Sequence, residues 1–213
     1  MTTLPRLITL ALLTLGLAAC TTIETAPVPA LDEIPRQIPP AETDLSAWQV
    51  PPTLGSFHFQ GEVSLDDQPL RLLRYRNSDD TLLDLVLFPF PGGWDTMTPG
   101  RAVAGQYGQQ RQDMIERALR HGAQEVLPLM ETLAGEASLN YPMARGRLLQ
   151  HYSSRTLVTL MALTAVPPVF IGAHITGPAD QADPLDEILH QAVIDFADAN
   201  ASAGEQVTQQ QGQ

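Results

Sequence analysis

The chain has 213 residues, 44% of them hydrophobic, with 24 acidic residues against 12 basic ones and a formal net charge of −12. Every basic residue is arginine and there is a single cysteine, so the fold must rest on an apolar core rather than on a disulfide framework. So acidic a protein is repelled by nucleic acid and by anionic head groups, which excludes nucleic-acid binding from the leading functions.

Residues 1–19 read as a leader. Arg6 supplies one positive charge, an uncharged apolar run follows over 7–19, and the run stops at Leu17-Ala18-Ala19-Cys20. A short basic region, an apolar stretch too short to span a bilayer and small residues before a cut site make a secretory signal peptide. Leu-Ala-Ala-Cys resembles the lipobox of bacterial lipoproteins. That resemblance implies that Cys20 is lipidated on sulfur, becomes the first residue of the mature protein and is acylated on its amine. Lipidation also accounts for a lone cysteine in an exported protein, which would otherwise be an unpaired thiol in an oxidising compartment. One acyl chain anchors only marginally, at about 0.8 kcal/mol per buried methylene. The three chains that the resemblance implies would hold the protein permanently. Thr21, not aspartate, follows the cysteine; by the likeness to lipoproteins of Gram-negative bacteria this leans towards the outer membrane, with the protein facing the periplasm. Loss of Arg6 with the leader makes the mature chain one unit more negative than the whole.

Residues 20–53 are expected to form a lipidated, Pro-rich acidic tether. Prolines recur from Pro27 to Pro52, and the carboxylates Glu24, Asp32, Glu33, Glu42 and Asp44 face only Arg36. Such a segment favours polyproline II at about 3.1 Å per residue, enough to hold a domain tens of ångströms from the bilayer. The apolar residues Leu45, Trp48 and Val50 suggest that its end docks on the domain. One folded domain is expected over 54–198. The small, Gln-rich stretch 199–213 lacks apolar periodicity and reads as a disordered tail.

Within the domain, Phe57, Phe59, Gly61 and Val63 alternate with polar residues, the period-2 signature of a half-buried strand. Asp66-Asp67-Gln68-Pro69 makes a turn. Leu73 and Tyr75 then point opposite to Arg74 and Arg76, Asn77-Ser78-Asp79-Asp80 turns again, and 81–88 is a third strand. Short polar connections between alternating runs predict an antiparallel meander. Thr98-Pro99 opens a helix with Val103, Tyr107, Met114, Ile115 and Ala118 on one stripe, and Gly122 is its stop. Short strands are expected at 125–129 and 136–141, and longer ones at 147–152, 156–166 and 169–176. Asp183-Pro184 starts a final helix with a stripe of Leu185, Ile188, Leu189, Val193 and Phe196. The uncharged stretch 156–178 is better read as two buried strands than as a membrane span, because Pro167-Pro168 would interrupt a spanning helix.

The predicted class is α+β: a predominantly antiparallel sheet with two amphipathic helices, in the order strands, helix, strands, helix. This order, with the turn Pro91-Gly92-Gly93-Trp94, resembles small periplasmic and thylakoid sandwich domains of the PsbP-like kind. The likeness is one of element order and implies no activity.

Catalytic signatures are absent. The chain contains no G-x-S-x-G, H-E-x-x-H, P-loop or C-x-x-C, and its five histidines show no metal-ligand spacing. No metal, cofactor or catalytic residue is assigned. Asp66-Asp67 and Asp79-Asp80 are explained by turn chemistry, and Arg71, Arg74 and Arg76 by pairing with neighbouring carboxylates. One segment has a functional reading. Phe88, Phe90, Gly92, Gly93 and Trp94 form a rigid apolar loop of the sort that anchors binding partners, although Phe88 and Phe90 finishing the core with Trp94 capping the sheet explains them as well. The expected function is that of a membrane-anchored periplasmic lipoprotein acting as a non-catalytic envelope adaptor or binding module. It would meet the membrane through Cys20 and have an envelope protein as partner. The alternative is a periplasmic hydrolase or other enzyme whose site is assembled from residues distant in sequence.

Cys20→Ser is expected to abolish lipidation and to release the protein or leave it as precursor. Metabolic labelling with a palmitate analogue measures this; equal signal from wild type and variant would remove the lipoprotein assignment.

Overall fold

A computed structural model of the chain describes residues 43–64, 69–133 and 141–201. The leader, the tether up to residue 42, the turn residues 66–68, most of the expected strand 136–141 and the tail from 202 lie outside the described residues. The described residues form eight strands: β1 Thr53–Leu54, β2 Phe57–Ser64, β3 Arg71–Arg76, β4 Leu82–Pro89, β5 Glu125–Thr132, β6 Met143–His151, β7 Thr156–Val166 and β8 Val169–Pro178. Helix α1, Pro99–Arg120, follows β4, and helix α2, Ala182–Ala199, follows β8. The strands make one sheet in the order β1-β2-β3-β4-β8-β7-β6-β5, with every neighbouring pair antiparallel. The protein is thus α+β and dominated by its sheet. The element order expected above is matched in part: the two-residue β1 and single 3-10 turns at Leu45–Ala47, Trp94–Thr96 and Ala179–Gln181 are additions to it.

The two helices lie on opposite faces of the sheet. Val158, Leu160, Ala162 and Val166 of β7 pack in one core with Leu185, Leu189, Val193 and Phe196 of α2. Met161, Leu163 and Ala165, the alternate positions of the same strand, pack in a second core with Ala102, Val103 and Tyr107 of α1. Successive side chains of a strand point to opposite faces, so β7 is covered on both sides and all its residues from Val158 to Val166 are buried. Each fully buried Leu, Val or Phe contributes about 1.5–3 kcal/mol, which makes this the most heavily stabilised strand. Beyond β8, α1 no longer covers its face. There β3 shows Arg74 and Arg76 to solvent while Leu73 and Tyr75 stay in the α2-side core.

Local chemistry accounts for the ends of α1. Pro99 occupies its first turn after Thr98, which lies at the cap position without a side-chain bond to the helix. At the other end Gly122, with φ 93°, donates to Leu119 O while Ala123 donates to Ala118 O. That pair of bonds is a Schellman stop, which a left-handed glycine permits. Close approach of α1 to the sheet depends on Gly146 in β6: a Cβ there would collide with the Tyr107 hydroxyl and lie 3.0 Å from Met130 O.

Two sequence expectations need correction. Val63 was placed on one stripe with Phe57 and Phe59, but a bulge at Gln60 shifts the register between Phe59 and Gly61 and turns Val63 to the other face, where it is 51% exposed. An extra residue on one strand reverses the alternation beyond it. The limits of the domain also widen. Leu45 and Trp48, assigned to the tether, are buried in the α2-side core with Val50 packed against them, and Asn200, assigned to the tail, is fully buried. The uncharged stretch 156–178 is the hairpin β7–β8, turning at Pro167-Pro168, and among the described residues no helix is long and apolar enough to cross a membrane.

Asn200 joins the two ends of the domain. Its Oδ1 accepts from Gln49 N at 2.7 Å, and its Nδ2 donates to Gln49 O at 3.1 Å and to Phe196 O at 3.0 Å. One side chain therefore imitates a strand partner for Gln49 and ties the end of α2 to the segment that seats Trp48. Asn200→Ala strands buried backbone groups and is expected to lower stability by about 2 kcal/mol. The melting temperature should fall by roughly 4–8 °C for a domain of this size. An unchanged melting curve would show that the clasp is dispensable.

Candidate functional site

The aromatic loop chosen from the sequence is largely taken up in packing. Phe90 is buried with its ring centroid 4.3 Å from that of Phe170, Phe88 is half-buried at 5.3 Å, and half-buried Trp94 meets the same ring edge-on at 6.3 Å. Gly93 is left-handed, with φ 83°, and sets Trp94 at the start of a 3-10 turn. Gly92 beside it is half-buried. The five residues close one end of the α1-side core around Phe170.

A cleft of about 270 Å³ lies at the other end of α1. Met114, Arg117, Ala118 and His121 of the helix and its stop form one wall. Gln150, Tyr152, Leu157, Thr159, His174 and Thr176 form the other. The sheet register brings these together: Thr159 on β7 lies opposite Thr176 on β8, and His174 lies opposite Met161 on one side and Asp84 of β4 on the other. Sequence reasoning treated His121 and His174 as isolated and did not single out the threonines. The available signal was a set of polar residues, Gln150, Thr159, His174 and Thr176, interrupting otherwise apolar strands that a helix covers.

The polar atoms form an ordered chain. Tyr152 donates its hydroxyl to Gln150 Oε1 at 3.0 Å, Gln150 Nε2 donates to Thr159 Oγ1 at 2.6 Å, and Thr159 Oγ1 meets Thr176 Oγ1 at 2.7 Å. Thr159 is fully buried and already accepts from Gln150. Its own hydrogen has an acceptor only in Thr176, so the donors run from Tyr152 to Thr176. The sheet-side arginine near His174, Arg74, has defined surroundings. Arg74 holds the two Asp84 oxygens at 2.6 and 2.8 Å, as expected of it, and Arg71 and Arg76 likewise pair with Glu62 and Asp80.

A histidine of the cleft thus meets a carboxylate just outside its lining. His174 Nε2 stands 3.5 Å from Asp84 Oδ2, a carboxylate whose oxygens Arg74 already occupies. An activated nucleophile needs a base at about 2.6–3.2 Å, and the lining hydroxyls bond along the chain just described. Ser153 and Ser154 lie exposed in the turn after Tyr152. Among the described residues no group of three or more His, Cys, Asp or Glu could hold a metal.

Burial holds the His174 pKa below its ordinary 6.5; the Asp84 carboxylate opposes this, and Arg117 and Arg74 reinforce it. The unfolded chain therefore takes up this proton first as pH falls. The stability linked to neutral His174 is complete above about pH 6.5 and is lost on acidification below it, by at most about 1.4 kcal/mol per pH unit. Denaturant unfolding at pH 7 and pH 5 should show this loss, and His174→Gln should flatten it. Equal losses in both proteins would mean that His174 is not held neutral by the fold. No protein-family model matches the chain and no curated protein matches its sequence.

Proposed function

We propose that this protein is a bacterial lipoprotein, anchored through Cys20 in the outer membrane and facing the periplasm, whose domain is a non-catalytic binding module. Its binding site is the cleft between the end of α1 and strands β6, β7 and β8. The observation that carries this reading is the hydrogen-bond chain from Tyr152 to Thr176, which fixes polar groups in a small concave site without pairing a hydroxyl with a base. Convergent polar groups on an apolar wall are the usual composition of a ligand site. The lipid anchor and Pro-rich segment would present that site to the envelope.

The hydrolase reading retains one supporting observation, the pairing of the cleft residue His174 with Asp84 beside it. Screening wild type and His174→Ala against chromogenic esters, phosphates and glycosides separates the two. The binding module predicts no turnover that depends on His174. It also predicts that a photoreactive residue replacing Met114 in the cleft forms a small-molecule adduct of defined mass in intact cells, whereas one replacing exposed Gln109 does not. Turnover abolished by His174→Ala would replace the module with an enzyme.

A further inference from the structure

Charge around the cleft runs against the rest of the molecule. The chain has two acidic residues for each basic one, yet the ionisable residues lining the cleft are Arg117, His121, His174 and Tyr152, with no carboxylate. Asp84, 3.5 Å from His174, is neutralised by the two-pronged grip of Arg74. Arg111 and Arg120 on the same helix pair with Glu131 and Glu116. Arg117, between them, makes no ion pair among the described residues. A second cation, the Arg155 guanidinium, lies over the ring of the lining residue Tyr152 at 5.7 Å.

The end of a helix carries partial negative charge and would oppose an anion. Here that effect is blunted. The carbonyls of Arg117, Ala118 and Leu119 accept from His121, Gly122 and Ala123, so the last turn offers few free acceptors to the cleft.

The hydrogen-bond chain adds a second, independent pointer. It joins three hydroxyls and one amide by three bonds and leaves one hydroxyl hydrogen over. With the amide oriented as described, that hydrogen is on Thr176. With the amide turned round, it is on Tyr152. Both residues line the cleft, so an unspent donor faces the cavity in either case. A ligand that completes the site supplies an acceptor.

We propose that the cleft binds a small organic anion, its carboxylate or phosphate oxygens held by Arg117 and the spare hydroxyl of Thr176 or Tyr152, and its apolar body against Met114, Ala118 and Leu157. This rests on the reading of the cleft as the binding site. The volume of about 270 Å³ corresponds to about nine waters at ~30 Å³ each, a space that suits a body the size of a benzene ring with one head group. A guanidinium fork matches planar carboxylates and phosphate oxygens alike.

Titration of the mature chain with benzoate, phenylphosphate and the neutral isostere benzamide, followed by calorimetry, tests the assignment. At least one anion should bind at millimolar concentration or below, about tenfold tighter than benzamide, and the stronger of the two identifies the head group. Arg117→Gln should weaken the anion about tenfold and leave benzamide unchanged. Because Arg117 is exposed, this variant should fold as wild type does, which its melting curve checks. Anion binding that Arg117→Gln does not alter, equal binding of benzamide, or binding of neither anion would overturn the proposal. The binding-module reading itself fails separately, through turnover dependent on His174 or through absence of a cleft adduct.

Discussion

Burial of β7 on both faces is the constraint on which the rest of this structure depends. A strand whose residues from Val158 to Val166 are all removed from water requires a cover on each side, and the described residues supply two α-helices. They must therefore separate, α1 to one face and α2 to the other. Once they do, β3 and β4 have a packed core on one face alone, and their sequences comply: Leu73, Tyr75, Leu83, Leu85 and Leu87 enter the α2-side core, while Arg74 and Asp84 pair on the opposite side. The asymmetry of the sheet, dry at β7 and wet towards β2, follows from helix number.

That asymmetry also makes the cleft. Helix α1 runs over β6 and β7 and ends where the sheet still continues, so the strands beyond its last turn present polar residues under an incomplete roof. Gln150 and Thr159 are as buried as core leucines, yet each is satisfied by its neighbour. Buried polar groups persist where their hydrogen bonds are made. A fully apolar patch at this place would have drawn the helix down and closed the cavity. The hydrogen-bond chain satisfies the buried members of the wall and leaves one hydroxyl hydrogen over at the cleft.

The ends of the domain show how far local composition can mislead. Residues 45–50 sit among prolines and carboxylates, and residue 200 opens a Gln-rich stretch, so both look like linker. Trp48 and Asn200 are nevertheless buried together, because Asn200 offers the backbone of Gln49 the bonds a neighbouring strand would have made. The apolar pattern of Leu45, Trp48 and Val50 was a readable hint of docking; a single asparagine 151 positions away was not.

Much of the fold was legible because it is written in short-range chemistry. Alternation marks β3 and β4, the uncharged run with a central Pro-Pro marks the β7–β8 hairpin, and Pro99 and Gly122 bracket α1, all through interactions a few residues apart. The apolar run over 7–19 and the Leu17-Ala18-Ala19-Cys20 that resembles a lipobox are likewise linear patterns. The aromatics of the Phe88–Trp94 loop were visible too, but whether they face a partner or Phe170 depends on a strand eighty residues onward. Only the tertiary structure decided the bulge that exposes Val63, the pairing of β4 with β8, the separation of the helices and the meeting of Tyr152, Gln150, Thr159, Thr176, His174 and Arg117 in one cleft. Those outcomes rest on contacts between residues that are distant along the chain and on which face of the sheet each helix covers, and neither is encoded in a local pattern of residue types.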